Sequence, residues 1–152
     1  MTIVHTAVVS WFGMLTERGV FQNVNRGKQL IRYDGLRYGS ITPTDMDGII
    51  ECHNSFWILY EIKMDNKQVP QGQRLLLERF IEMARDARRH GIAMIAEHHI
   101  YDTRQDIFMR SCRVRELITT EDLTWRPPKY EITVKRITDM YMYYFNNERV
   151  RI

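Results

Sequence analysis

The stretch FWILYEIK, residues 56–63, constrains the fold more than any other part of the chain. It opens with five aromatic or aliphatic residues in a row and is rich in the types that fit a pleated surface. Eight residues make a strand rather than a buried helix, and a run that does not alternate needs cover on both faces. A strand of this kind belongs inside a sheet with helices packed on it, which is an α/β architecture. The run ends in Glu61-Ile62-Lys63. Alternate residues of a strand share a face, so Glu61 and Lys63 project to the same side where the strand leaves the core.

The neighbouring segment, residues 46–52, reads as a strand that turns back onto this one. Its register decides whether Asp47 joins the charged pair. A two-residue turn at Asn54-Ser55 would set Cys52 against Trp57 and Asp47 against Ile62, on the wrong face. A three-residue loop, His53-Asn54-Ser55, would set Cys52 against Phe56 and Asp47 against Glu61. The convergence of Asp47, Glu61 and Lys63 therefore requires the longer loop or a bulge.

Elsewhere the pattern is less sharp. Residues 7–24 suggest a helix interrupted by Gly13 and Gly19, and residues 29–33 (QLIRY) a strand before the turn-rich DGLRYGSITPTD. Residues 71–90 form the best helical pattern. Leu76, Phe80, Met83, Ala84 and Ala87 make an apolar stripe, Arg74, Glu78, Glu82, Arg85 and Arg89 line the other side, and Gly91 is a stop signal. Residues 92–96 read as a buried strand leading to Glu97-His98-His99. Beyond residue 100, strands over 113–118 and 130–134 flank a Trp125-Arg126-Pro127-Pro128 loop, and residues 135–145 suggest a helix. A helix between two strands of one sheet implies mixed strand directions.

At 152 residues, with 44% hydrophobic and 27% charged, the chain suits one folded domain over 1–152. The net charge of +3 is mild, and its distribution says more. Residues 18–37 carry five basic residues and one acid, while 38–66 carry five acids and Lys63 alone. An acidic knot beside basic flanks suits a site for a metal cation and a phosphate. Two cysteines outside any CxxC pair argue against a disulfide scaffold or structural zinc and fit a reducing cytoplasm. No apolar run approaches the roughly 20 residues that span a bilayer, so no membrane partner is expected.

Two carboxylates on one face invite a hard cation, and Mg2+ prefers few carboxylates together with water and substrate phosphate. Such an ion lowers the pKa of bound water and stabilises charge on a transferring phosphate. Lys63 beside it can orient or help deprotonate the attacking water, or hold the phosphate.

The string Thr42-Pro43-Thr44-Asp45-Met46-Asp47-Gly48-Ile49-Ile50-Glu51, followed by Leu59-Tyr60-Glu61-Ile62-Lys63, resembles the PD-(D/E)XK phosphodiesterase superfamily. That group includes restriction endonucleases, archaeal-type Holliday-junction resolvases and many small phage nucleases. The resemblance covers residues 7–99 and implies a restriction-endonuclease-like αβββαβ core, a mixed sheet flanked by helices, with residues 100–152 as a C-terminal extension. It gives Asp47 and Glu61 the metal-binding roles, the Ile62 carbonyl a further ligand position, and Lys63 the lysine role. Asp45 competes with Asp47, which is preferred because Gly48-Ile49-Ile50 follows it directly as strand. Glu17 is the only acid on the first helix that could match the glutamate some members carry there. Gln73 falls three residues before Leu76 at the helix start, and nucleases of this group often carry a glutamine in the equivalent helix.

The resemblance thus implies an Mg2+-dependent DNA endonuclease, with Mn2+ as a substitute, branched DNA as one substrate form, and a homodimer whose two sites cut two strands. The alternatives are a catalytically silent binding protein on a nuclease fold, such as an inhibitor in a phage–host conflict, and an RNA or single-strand nuclease. His98 and His99 point to opposite faces of a strand and make no zinc motif by themselves. Residues 140–145 (MYMYYF) read as core or dimer face, and Trp125, Arg126 and Lys129 as a packed loop or a grip on nucleic acid.

Overall fold

The computed structural model describes residues 34–36 and 43–148. The helix expected over 7–24, with Glu17, and the strand expected over 29–33 lie outside the described residues. From Thr44 onward the elements are β1 (Gly48–Cys52), β2 (Phe56–Met64), α1 (Gln71–Asp86), β3 (His90–His98), a 3-10 turn (Met109–Ser111), β4 (Arg113–Thr119) and α2 (Val134–Glu148). The four strands form one mixed sheet in the order β1-β2-β3-β4. β1 pairs antiparallel with β2, β2 parallel with β3, and β3 antiparallel with β4. The chain is therefore α/β with a mixed sheet and helices on it. The strand order puts β2 and β3, the two most apolar segments, in the middle.

Both faces of β2 are covered, as its unbroken apolar run requires. Phe56, Ile58 and Tyr60 join Ile92, Met94 and Ala96 of β3 in one cluster, closed by Val134 and Ile137 of α2. On the other face Leu59, Ala93 and Ile95 pack against Leu77 and Ile81 of α1. The buried side of α1 is Leu77, Ile81 and Ala84; of the stripe expected at Leu76, Phe80, Met83, Ala84 and Ala87, Ala84 is in this set, Leu76 is half-buried and the other three are exposed. Phe80 is 37% exposed and Met83 64%. The helix carries apolar residues on two adjoining faces, and periodicity alone does not say which one meets the sheet.

The end of α1 also differs from expectation. Asp86 is its last residue, and Arg88, at φ 55, makes the left-handed turn. The Arg89 amide then bonds back to the Ala84 carbonyl at 2.8 Å, closing the helix in the way a glycine usually does. Gly91 is instead within β3, where a Cβ would lie 3.1 Å from Ile81 Cδ1. β3 runs the full length His90–His98, longer than the expected 92–96.

Residues beyond 100 join the same sheet and core. β4 forms its edge, with a register shift between Ile95 and Ala96 of β3. No strand forms over 130–134. That segment makes a single bridge, Thr133 to Arg113, because α2 begins at Val134 and removes the residues a ladder would need. Among the described residues no helix is long and apolar enough to cross a membrane.

Candidate active site

The β1–β2 turn sets the site. His53 and Asn54 both take left-handed conformations, at φ 51 and 53, and the Ser55 amide bonds to the Cys52 carbonyl at 2.9 Å. Asn and His tolerate this region better than most residues, and the Glu51 carboxylate accepts the Asn54 amide. Ser55 adds the third loop residue, so Cys52 pairs with Phe56 and Gly48 with Tyr60. Continuing that register by one residue sets Asp47 across from Glu61. The Ile62 amide donates to Asp47 Oδ2 at 2.6 Å, so the carboxylate lies against the backbone of Glu61-Ile62-Lys63. Gly48 permits the approach, since a Cβ there would be 3.2 Å from Tyr60 Cδ2 and 3.3 Å from Met109 Cε.

Glu61 is the unusual group. It is 1% exposed at the end of an apolar strand, and burying a carboxylate disfavours its charged form. Burial accordingly pushes its pKa above the usual value; Lys63 opposes the shift, and the charges of Asp47 and Asp45 add to it. Lys63 Nζ forms an ion pair with Glu61 Oε1. That oxygen has no well-angled hydrogen bond, and Gln73 Oε1 is also buried without a partner. Gln73 lies one helical turn before Leu77, on the inner side of α1. Its Nε2 donates to Asp45 Oδ1 at 3.1 Å. The two aspartates therefore differ: Asp47 reaches β2, and Asp45 is tied to the helix.

The structure thus brings Asp47, Glu61, Lys63 and Ile62 together at one strand end, with Asp45 and Gln73 beside them. Among the described residues no three His, Cys, Asp or Glu side chains gather into a ready metal cluster. The donor set still fits a hard divalent ion, which takes few carboxylates and completes its shell with water and phosphate oxygens. Asp47 and Glu61 would hold it, with the Ile62 carbonyl as a third position. A buried glutamate carboxylate whose cationic partner is Lys63 is a natural ligand for such a cation.

The next positions along the sheet carry a second charged group, of which the sequence singled out Glu97, His98 and His99 but not the arginines. Glu97 is the register partner of Lys63 and is 2% exposed. Its Oε1 pairs with Arg113 Nη2 and lies 3.8 Å from His99 Nε2, and its Oε2 lies 3.9 Å from Arg115 Nε. Arg115 Nη1 also donates to the carbonyls of Asp65 and Lys67, at 3.2 and 2.9 Å, clamping the segment that leaves Lys63. His99 Nδ1 and the Tyr101 hydroxyl both bond Asp65 Oδ1, at 2.6 and 2.8 Å. These bonds hold the Asp65 carboxyl below the ordinary aspartate range. Glu97 gave the same signal as Glu61, an acid ending a buried strand. The arginines gave none, because only the β3–β4 pairing brings them to it.

Trp125 is packed, with its Nε1 donating to Glu78 at 2.7 Å and the Arg74 guanidinium 4.7 Å from its ring centre. Arg126 pairs with Asp122. No family model, curated protein or solved structure matches the chain.

Proposed function

We propose that the chain is a divalent-metal-dependent phosphodiesterase that cuts nucleic acid, in the first instance a DNA endonuclease using Mg2+. The observation that carries this reading is the hairpin register, which sets the Asp47 carboxylate on the Ile62 amide beside a buried Glu61 held by Lys63. A stability role alone does not account for that arrangement, since burying an ion pair seldom stabilises a fold. When bound, the ion would supply a Lewis acid and an acidified water.

The side chains divide the remaining work. Asp47 and Glu61 hold negative charge toward the ion. Lys63, once Glu61 has another cation to neutralise it, turns its ammonium to the phosphate or to the attacking water, where it holds charge or passes a proton. Gln73, with its buried free oxygen, orients Asp45 or a water at the rim. Cutting both strands of a duplex would call for two copies related by a twofold axis.

The test is a cleavage assay on supercoiled, linear, single-stranded and four-way-junction DNA, with Mg2+, Mn2+ or EDTA. It compares the native chain with Asp47→Ala and Lys63→Ala. The expected result is metal-dependent cutting, lowered by about a hundredfold or more in either variant. Folded native protein that cuts none of these substrates, nor RNA, would sink the reading in favour of a silent binding protein.

A further inference from the structure

The loop that follows β3 exposes three large apolar side chains, Tyr101 (68% exposed), Ile107 and Phe108 (60%), of which Ile107 and Phe108 line one cavity. Isolated exposed apolar residues are ordinary, but a group of them beside a cavity marks a contact surface. A cavity of about 410 Å³ opens here, with Ile107 and Phe108 on one wall and His98, His99 and Arg113 on another. It lies at the end of the charged row just described. The β2–β3 ladder ends at Met64 and His98, one pair past Lys63 and Glu97. Asp65 then turns the chain at φ 51, its amide bonded to the His98 carbonyl at 2.9 Å, and His99 Nε2 lies 3.8 Å from Glu97 Oε1.

We infer that this cavity receives an unpaired nucleobase of the strand being cut, so that the substrate is single-stranded or branched nucleic acid rather than continuous duplex. The inference rests on the nuclease reading for the identity of its ligand. Phe108 offers an aromatic face, and Arg110 stands 5.5 Å from its ring centre; an aromatic–arginine pair is a sequence-tolerant platform for a base. The backbone that carries the ring is tied down, because the amide of Ser111 bonds to the Phe108 carbonyl at 2.9 Å and Cys112 Sγ reaches the same oxygen. Tyr101 is fixed too, through its hydroxyl on Asp65.

The charges sort base from phosphate. Asp106 and Glu131 line the cavity, and their carboxylates disfavour a phosphate beside them. They leave acceptors for the N–H groups of a base. Arg113 and His99 stand beside Lys63's partner Glu97 and cover its charge. They form the rim along which the backbone runs toward Asp47 and Glu61. A base in a continuous duplex is stacked and paired, and reaches such a cavity only if it is flipped out at a cost.

Binding separates this from the catalytic reading. Fluorescence anisotropy in EDTA would compare a mixed-sequence single strand, an abasic strand with the same number of phosphates, and the matching duplex. The native chain is expected to bind the base-bearing strand at least about tenfold tighter than the abasic one, and tighter than the duplex. Phe108→Ala, an exposed change checked for an unaltered melting temperature, is expected to erase most of the base-dependent difference. Equal binding of base-bearing and abasic strands, preference for duplex, or a difference untouched by Phe108→Ala would each overturn the inference. Cleavage in Mg2+ is scored separately. Cutting without base preference removes only the cavity's role, and base preference without cutting removes only the catalytic one.

Discussion

The two faces of the central strands start alike and end differently. On the α2 face, Phe56, Ile58 and Tyr60 of β2 and Ile92, Met94 and Ala96 of β3 stay apolar, and the one hydroxyl, Tyr60, is satisfied by Thr138 at 2.9 Å. On the α1 face, Leu59, Ala93 and Ile95 give way to Glu61, Lys63 and Glu97 at the last positions. α1 covers the apolar half through Leu77, Ile81 and Ala84. The charged half keeps its groups buried at a standing cost in desolvation. The sheet thus has one face that is apolar throughout and another that ends in charge.

The sharpest way to break that comparison is a cavity on the apolar face. Met94→Ala, at a position with no exposed surface, should cost about 2–5 kcal/mol in chemical unfolding. Any cutting activity should survive in the protein that remains folded. If the loss were under about 1 kcal/mol, the apolar face would not be the main source of stability.

The charged end should respond in the opposite sense. The double change Glu61→Leu and Lys63→Met replaces a buried ion pair with residues of similar volume, and should leave stability unchanged or raise it by up to about 1–4 kcal/mol while abolishing activity. The pH dependence carries the same sign. Burial raises the Glu61 pKa in the folded chain, so the native state holds more protons than the unfolded one in the window above the ordinary glutamate value. Stability is therefore lost as pH rises from there through the folded-state pKa. Melting curves from about pH 4 to pH 8 should show this decline in the native chain, with the Glu61 contribution absent from the variant. A marked destabilisation in the variant would mean that the pair supports the fold.

Smaller effects refine the picture. Tyr60→Phe removes one bond to α2 and should cost about 0.5–1.5 kcal/mol. Arg88→Gly relieves a left-handed arginine behind α1 and should gain up to about 1 kcal/mol, visible as a small rise in melting temperature. If Arg88→Gly were destabilising, the arginine side chain would have a role beyond the turn.

How much of this was legible in the sequence follows the same division. Both hairpin strands were marked by their own composition, but the register was not: the sequence allows a two- or a three-residue turn, and the meeting of Asp47 with Glu61 required the longer loop or a bulge, which the pairing of Cys52 with Phe56 supplies. The α1 stripe was right at Ala84 but one residue off at Leu76 and Phe80, because Leu76, Phe80 and Met83 have the same spacing as the buried Leu77, Ile81 and Ala84. Which stripe is buried depends on the helix's rotation against the sheet. The Glu97–Arg113–Arg115 group was hidden for a related reason. Its members sit on two strands whose adjacency, and whose register shift at Ile95/Ala96, no local pattern announces. Residues 130–134 have strand-forming composition, but Val134 is taken by the helix that follows.

Ser55 offers no side chain to the proposed site, yet its identity bears on whether that site assembles. As the third residue of the turn it leaves Cys52 opposite Phe56. Ser55→Gly would create an Asn-Gly pair, the sequence most favoured in two-residue hairpin turns. Pairing about that shorter turn sets Cys52 against Trp57, and such a single step exchanges inward for outward side chains. Asp47 would then face away from Glu61 with all the proposed site residues still in the chain. Seen through descent, one substitution at the far end of the hairpin can disperse the site in a relative of nearly identical sequence. A search for decayed copies should therefore compare turn sequences before it compares site residues.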